Sequence, residues 1–214
     1  MKWSMMIIKK LVVGFLETNC YIVGCERTKK AFIVDPGAES SRIIEEVRKE
    51  HLSPEYIINT HGHGDHIGAN KNIKQEFEDL KILIHVNDKD MLIDASKNLS
   101  ADFAMNYVSP SADIVLNGGE IIEVGDLELE ILFTPGHTPG GISIFIRKEK
   151  TVFTGDALFC GSVGRTDFPS GSGIDLIKGI KEKLMVLDSD VVIYPGHGPD
   201  STIGKERESN PFLV

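Results

Sequence analysis

The sequence predicts an α/β sandwich, in which two sets of strands are interleaved with surface helices. Short apolar, β-rich runs recur along the chain and end in turns that contain Gly, Pro or Asp. Between them lie longer segments with apolar residues at helical spacing, such as residues 40–51 and 174–187. The 214 residues suffice for one large domain that buries roughly 70% of its unfolded surface. We therefore expect a single domain over residues 1–214.

The N-terminal part of the chain predicts an antiparallel group of strands followed by a helix. Strands are expected at residues 5–13, 19–24 and 31–34, and their close spacing favours hairpins. Asp35-Pro36-Gly37 is a turn signal at the end of the third strand. Ser40 or Ser41 would then cap a helix that continues to about His51.

The remaining elements follow from the same patterns. Strands are predicted at residues 56–59, 81–85, 120–124, 127–131, 142–146, 151–154 and 191–194, and helices at 70–77, 88–94 and 174–187. Gly125-Asp126 lies between two of these strands and predicts a hairpin. Residues 97–111 are irregular and carry Phe103, Met105 and Tyr107. They are expected to form either a flap over the functional site or an ordinary surface loop.

Four potential metal ligands fall within six residues of the segment 60–68, directly after the predicted strand at 56–59. They are His61, His63, Asp65 and His66. Neither a regular strand nor a regular helix directs all four to one point, whereas a Gly-rich loop does so because Gly permits backbone angles that other residues avoid. Neutral imidazole and carboxylate are the usual ligands of zinc, iron and manganese. The segment therefore predicts a metal site at the carboxyl end of a strand, where α/β proteins build their sites.

This HxHxDH motif resembles the signature of the metallo-β-lactamase superfamily. The resemblance implies three more ligands, a His, an Asp and a His, each just after a strand. His137, Asp156 and His197 stand in such places, each in a turn that contains Gly or Pro. The resemblance covers essentially the whole chain and implies the four-layer αββα metallo-β-lactamase sandwich. His51 and His85 have no ligand-like neighbours and are expected to be structural.

The resemblance also implies how the ligands are shared. A first ion would take His61, His63 and His137, and a second would take Asp65, His66 and His197. Asp156 would bridge the two ions, which are expected to be zinc, with iron or manganese as alternatives. Such a pair lowers the pKa of a shared water, so that a metal-bridging hydroxide attacks a carbonyl carbon. Asp65 would aim that hydroxide, so Asp65 and Asp156 are the expected catalytic residues.

Two segments, 155–169 and 195–204, resemble the short bacterial YcbL-like type II glyoxalases. His63 stands where diiron flavoproteins of this fold have Glu, and Asp156 stands where some true β-lactamases have Cys. The resemblance implies a binuclear hydroxyacylglutathione hydrolase-like thioesterase that acts on a small-molecule thioester, with glutathione as a candidate thiol carrier. One alternative is a mononuclear iron persulfide dioxygenase, in which His61, His137 and Asp156 would hold the iron. Another is an inactive metal-binding protein, and lactones or phosphoesters are further candidate substrates.

Arg165 is the candidate substrate-binding residue. Long glyoxalase II enzymes grip glutathione with a C-terminal helical domain, for which we expect no counterpart here. Arg165 could instead hold a substrate carboxylate with its planar guanidinium group. The alternative is an ion pair between Arg165 and Asp167 that shapes the loop, and the sequence leaves both open.

Composition narrows the class of protein further. The net charge is −9, from 23 Lys and Arg against 32 Asp and Glu, so we expect no nucleic-acid partner. Three cysteines form no evident disulfide or zinc framework, which favours a reducing, cytoplasmic setting. The N-terminal apolar run is too short for a signal peptide, and no run approaches the length of a membrane helix. We therefore expect no membrane partner, and the sequence leaves the oligomeric state open.

Overall fold

Two six-stranded sheets pack face to face in the computed structural model, which describes residues 6–214. The first sheet contains β1 (Met6–Val13), β2 (Thr18–Cys25), β3 (Lys30–Val34), β4 (Ser53–Ile58), β5 (Lys81–His85) and β6 (Ile114–Leu116). The second contains β7 (Ile121–Val124), β8 (Leu127–Phe133), β9 (Ile142–Ile146), β10 (Thr151–Gly155), β13 (Val192–Pro195) and β14 (Ser201–Thr202). A separate small hairpin is formed by β11 (Leu158–Phe159) and β12 (Ser162–Val163).

Five helices accompany the sheets within the described part of the chain. They are α1 (Ser40–Lys49), α2 (Gly64–Ile67), α3 (Asn70–Glu76), α4 (Gly173–Gly179) and α5 (Ile203–Ser209). Helix α4 continues as a π-helical turn at Ile180–Leu184, and 3-10 turns occur at Lys89–Met91, Ser100–Phe103 and Arg147–Glu149. Between residues 6 and 214, no helix combines the length and the apolar character needed to cross a bilayer.

The strand order explains why the site forms at one edge of the sandwich. The first sheet follows the chain from β1 to β6, with antiparallel pairing up to β3 and parallel pairing from β3 onward. The second sheet has the order β14-β13-β10-β9-β8-β7, in which β10 and β13 are parallel neighbours. The segments that leave β4, β8, β10 and β13 carry the predicted ligands.

Three groups of buried side chains separate the four layers. One fills the space between the sheets and includes Tyr21, Phe32 and Phe153, whose rings make edge-to-face contacts. A second lies between the first sheet and α1 and α3, and a third lies between the second sheet and α4 and α5. Strand β2 serves two layers, because Ile22 faces the helices and Tyr21 faces the other sheet. The αββα sandwich expected from the sequence is thus confirmed.

Several local expectations are wrong or incomplete. Helix α1 begins after Glu39, which has a left-handed φ of 55°, and neither Ser40 nor Ser41 is in the capping position. The Glu39 carboxylate instead accepts a hydrogen bond from the N–H of Gly14, 2.9 Å away. The predicted helix at 88–94 is only a 3-10 turn, and the helix at 174–187 is interrupted by the π-helical turn. Met5, the expected first strand residue, lies outside the described residues.

Candidate metal centre

Seven side chains from both sheets converge at one edge of the sandwich. The segment after β4, together with α2, contributes the first four predicted ligands: His61, His63, Asp65 and His66. The segments after β8, β10 and β13 contribute the other three: His137, Asp156 and His197. His85 and His51 lie elsewhere, since His85 stacks on Phe133 and His51 is exposed.

The glycines of the motif act differently from the sequence interpretation. Gly62, Gly64 and Gly68 do not adopt a left-handed φ. A Cβ at Gly62 would instead lie 2.5 Å from the Cβ of Met91, and one at Gly64 would lie 2.7 Å from the Cβ of Ser100. The glycines therefore let neighbouring segments approach closely. The second half of the motif is also no loop, because α2 forms one helical turn that carries two of the ligands.

The first group of ligand atoms consists of His61, His63 and His137, which lie within 4.8 Å of one another. Nδ1 of His63 lies 3.0 Å from Nε2 of His137. Nε2 of His61 is buried and has no hydrogen-bond partner. The Nδ1 atom of His137 faces the main-chain oxygen of Arg165 at 2.8 Å, which leaves Nε2 directed at the site.

The second group consists of Asp65, His66 and His197, with the same limit of 4.8 Å on the separations of their ligand atoms. Nε2 of His66 and Nε2 of His197 lie 3.2 Å apart. Oδ2 of Asp65 lies 3.5 Å from the first of these nitrogens and 3.3 Å from the second. It also accepts a hydrogen bond from the hydroxyl of Thr18, which orients it.

Asp156 lies between the two groups. Its Oδ2 is 3.6 Å from Nε2 of His137 in the first group and 3.6 Å from Nε2 of His197 in the second. Its Oδ1 is 3.6 Å from Nε2 of His66, yet it is buried without a hydrogen bond. Gly196 makes room for this carboxylate, since a Cβ there would lie 2.1 Å from Oδ1.

The donor set fits divalent cations. Three buried side-chain atoms in residues 6–214 lack a hydrogen-bond partner, and two of them, Nε2 of His61 and Oδ1 of Asp156, point into this centre. Buried polar atoms rarely remain unpaired, so two such atoms that face the same centre indicate a binding site for a cation. Imidazole nitrogens that face each other at about hydrogen-bond distance, as in both groups, are likewise suited to a shared cation. These clusters indicate a divalent-metal centre.

The two groups differ in their electrostatics. Burial lowers the pKa of His63 to about 3 and also lowers the pKa of His61, so both imidazoles are neutral and ready to act as ligands. Burial also opposes a charge on His66, but the nearby carboxylates of Asp65, Asp156 and Asp35 outweigh it and raise its pKa to about 10. The electrostatic potential is therefore more negative at the second group than at the first, which favours the binding of positive charge there.

Asp35 contacts the second group through His66 and orients its ring. Its Oδ2 lies 3.0 Å from Nδ1 of His66, and its two oxygens also accept hydrogen bonds from the N–H and the hydroxyl of Thr60. A carboxylate on Nδ1 fixes the tautomer that leaves Nε2 free for a metal. The sequence identifies Asp35 as part of a turn signal. The structure shows it in a turn conformation, with a φ of 48°, and also in contact with a predicted ligand.

Asp88 is a supporting residue that the sequence analysis missed. Its carboxylate is fully buried and accepts hydrogen bonds from the N–H of Gly62, the hydroxyl of Thr138 and the N–H of Gly140. Burial raises the pKa of this carboxyl, although these hydrogen bonds oppose the shift. Asp88 thus ties the segment that carries His61 and His63 to the segment that carries His137. The signal for this role is a buried carboxylate that accepts hydrogen bonds from uncharged donors. It is visible in the structure but not in the sequence.

A cleft of about 470 Å³ opens over both groups. Its sides are largely apolar, and Phe103, Met105 and Tyr107 from the irregular segment 97–111 line it. Of the two interpretations of this segment, the structure supports the flap. Arg165 also lines the cleft, but its guanidinium forms two 2.7 Å hydrogen bonds with Asp167 and lies 3.9 Å from the ring centre of Phe168. The ion pair that the sequence left open is therefore present, and it is largely exposed.

Comparisons with known proteins agree with this geometry. The model of the metallo-beta-lactamase superfamily matches residues 13–197. Hydroxyacylglutathione hydrolase GloC of Haemophilus influenzae is 39% identical, with 97% of this chain and 98% of the relative covered. The probable metallo-hydrolase YqgX of Bacillus subtilis is 35% identical, with 100% and 98% covered. The crystal structure of BLEG-1 B3 metallo-beta-lactamase superposes with a TM-score of 0.92 at 33% identity, with 97% and 100% covered.

The match to the family model spans most of the chain and includes every predicted ligand. The relatives are similar over nearly their whole length, and the solved structure has the same sandwich. Family resemblance, fold and the donor set at the sheet edge thus agree with one another. The chain belongs to the metallo-beta-lactamase superfamily and is related to its metallo-hydrolases.

Proposed function

We propose that the chain is a binuclear metal-dependent thioesterase of the hydroxyacylglutathione hydrolase type, built as a single domain over residues 1–214. The observation that carries this proposal is the position of Asp156. Its carboxylate lies 3.6 Å from a histidine nitrogen of each ligand group and has an unpaired, buried oxygen. We call the two groups the first triad (His61, His63 and His137) and the second triad (Asp65, His66 and His197). A carboxylate in that position is suited to bridge two cations. The name of the Haemophilus influenzae relative supports the thioester substrate class.

In this proposal each side chain has a distinct role. His61, His63 and His137 would hold one divalent ion, and Asp65, His66 and His197 would hold the other. When bound, such a pair supplies hydroxide at neutral pH and stabilises negative charge on a carbonyl oxygen. Asp65 is held by the Thr18 hydroxyl, so its second oxygen is available to orient a water molecule.

A protein nucleophile is not required. The hydroxyl of Ser162 lies 3.4 Å from the main-chain oxygen of Val163, and the thiol of Cys160 lies 3.3 Å from Nζ of Lys205. Neither side chain is paired with a histidine that could act as a base in these contacts. The arrangement therefore favours hydrolysis by activated water over covalent catalysis.

The first prediction concerns metal content and activity together. We expect two divalent ions per chain after saturation with zinc, iron or manganese, because the ligand set is too large for one ion. Elemental analysis measures the stoichiometry, and assays with S-lactoylglutathione and with glutathione persulfide distinguish the reactions. A stoichiometry fixed at one, with oxygen consumption on the persulfide, would favour a mononuclear iron dioxygenase. Two ions without hydrolysis of any thioester would overturn the substrate class.

The second prediction concerns Arg165, which we propose to hold a carboxylate of the thiol carrier. Its pair with Asp167 is exposed and contributes little stability, so a substrate carboxylate can replace Asp167. Arg165→Ala should raise KM for an anionic thioester about tenfold, as expected for a charged hydrogen bond of about 1.5 kcal/mol. It should change KM for a neutral thioester little.

Asp167→Ala is the matched variant for this test. If Asp167 competes with substrate for the guanidinium, its removal should lower KM for the anionic thioester and leave the neutral one unchanged. Steady-state kinetics on both substrates measures these effects. Equal losses on both substrates for Arg165→Ala would show that the ion pair is structural and that the carrier binds elsewhere.

A further inference from the structure

The cleft has two chemically different sides. Beside the first triad lie Arg165 and Phe168, since Nδ1 of His137 faces the main-chain oxygen of Arg165 and the ring of Phe168 is 5.5 Å from that of His63. This side carries the guanidinium. Among the described residues that line the cleft, Arg165 is the only lysine or arginine, and its donors already face Asp167.

The other side is an apolar wall formed by Phe15, Leu16, Phe103 and Phe159. The rings of Phe15 and Phe103 are 5.8 Å apart, and the ring of Phe159 is 6.3 Å from that of His197. Phe15 and Leu16 belong to the turn between β1 and β2. This turn is held close to the second triad by Thr18, whose hydroxyl donates a hydrogen bond to Asp65 and whose main chain pairs with that of His197.

The wall is exposed although it is apolar. Phe15 is 56% exposed and Phe103 is 52% exposed, so these rings face the open cleft and not the core. Single exposed apolar residues are common, but two exposed aromatic rings in contact with each other at the mouth of a cleft that holds candidate metal ligands indicate a site for an apolar ligand. A small hydroxylated acyl group, such as lactoyl, would leave most of this wall uncovered.

The inference about the occupant rests on the proposed thioester hydrolysis. We infer that the apolar wall binds the acyl group of the substrate and that the enzyme prefers thioesters with a longer, unbranched apolar acyl chain to those with a small hydroxylated one. The reacting carbonyl lies between the triads, the thiol carrier extends toward Arg165, and the acyl chain extends along Phe159 toward Phe15 and Phe103. The cleft, about 470 Å³ in volume, lies in the range that accommodates both parts.

The test is a series of glutathione thioesters with acetyl, butanoyl and hexanoyl groups, and the lactoyl thioester is added for comparison. We expect kcat/KM to rise about twofold per methylene, or roughly tenfold or more from acetyl to hexanoyl, because the wall covers one side of the chain. Full burial of a methylene would give about fourfold. A flat series, or a preference for lactoyl over hexanoyl, would overturn the inference while leaving thioester hydrolysis intact.

Two variants locate the preference. Phe103→Ala and Phe15→Ala should each reduce the hexanoyl-to-acetyl ratio of kcat/KM about threefold or more. Phe212→Ala is the matched control, because Phe212 is 54% exposed but does not line the cleft, and it should leave the ratio unchanged. An unaltered ratio in both wall variants would overturn the assignment of the acyl site. Failure of the two-ion protein to hydrolyse any member of the series would overturn the proposed function as well.

Discussion

Asp156→Ala is expected to lower kcat/KM for a thioester by roughly a thousandfold while the fold survives. The carboxylate lies between two triads that would each hold a cation in the proposed enzyme, so its loss would remove the negative charge that offsets the repulsion between the two cations. A thousandfold loss corresponds to about 4 kcal/mol, which is in the range of the charge stabilisation that metal centres supply. The fold should tolerate the change, because Oδ1 of Asp156 has no hydrogen-bond partner to lose.

The measurements are steady-state kinetics, elemental analysis and circular dichroism on the same preparation. The second ion should bind more weakly than in the wild type, whereas the circular dichroism spectrum should not change. Asp190→Ala is a suitable control, since Asp190 pairs with Lys150 at the surface and such pairs contribute little. Two tightly bound ions and near-normal turnover in Asp156→Ala would show that Asp156 is not the bridging residue.

Asp88→Ala is expected to reduce the free energy of unfolding of the metal-free protein by about 3 kcal/mol. The variant loses three hydrogen bonds that are worth about 1 kcal/mol each, and it leaves the N–H groups of Gly62 and Gly140 without their acceptor. Because Asp88 fastens two of the ligand-bearing segments together, the first triad should also lose affinity for its ion. Asp88 is thus a positioning residue that contacts no reacting atom.

Urea denaturation measures the change in stability, and titration with zinc measures the change in affinity. Asp90→Ala is the matched control, because Asp90 lies two residues away and is exposed; it should change neither quantity appreciably. Asp88→Asn should recover part of both losses, since its amide oxygen keeps one acceptor in place. A loss of stability below 1 kcal/mol in Asp88→Ala would contradict this role.

The sequence was most informative where chemistry and local structure coincide. The segment 60–68 concentrates three histidines and an aspartate after an apolar run, and His137, Asp156 and His197 each follow a strand. These local patterns predicted an α/β sandwich, and the resemblance to the metallo-β-lactamase superfamily then implied its four layers and the set of side chains that meet at its edge. The hairpin about Gly125-Asp126 was equally local, and the pairing of Val124 with Leu127 confirms it.

Long-range packing could not be predicted in this way. Asp88 lies in no motif, and the two N–H groups that it accepts from are 26 and 52 residues away. The glycines of the motif were explained from the sequence by their backbone freedom. In the structure, Gly62 and Gly64 are instead required because Met91 and Ser100, respectively 29 and 36 residues later in the chain, pack closely against them. Arg165 had two possible partners, and the nearby Asp167 is the one the structure shows.

The division of each triad between the two sheets has a consequence for folding kinetics. His61 and His63 follow a strand of the first sheet, whereas His137 follows a strand of the second, and the second triad is divided in the same way. A nascent chain that has formed only the first sheet therefore presents incomplete coordination. Stable binding of an ion would therefore require the two halves to dock, and an ion held by side chains from both halves would slow their separation.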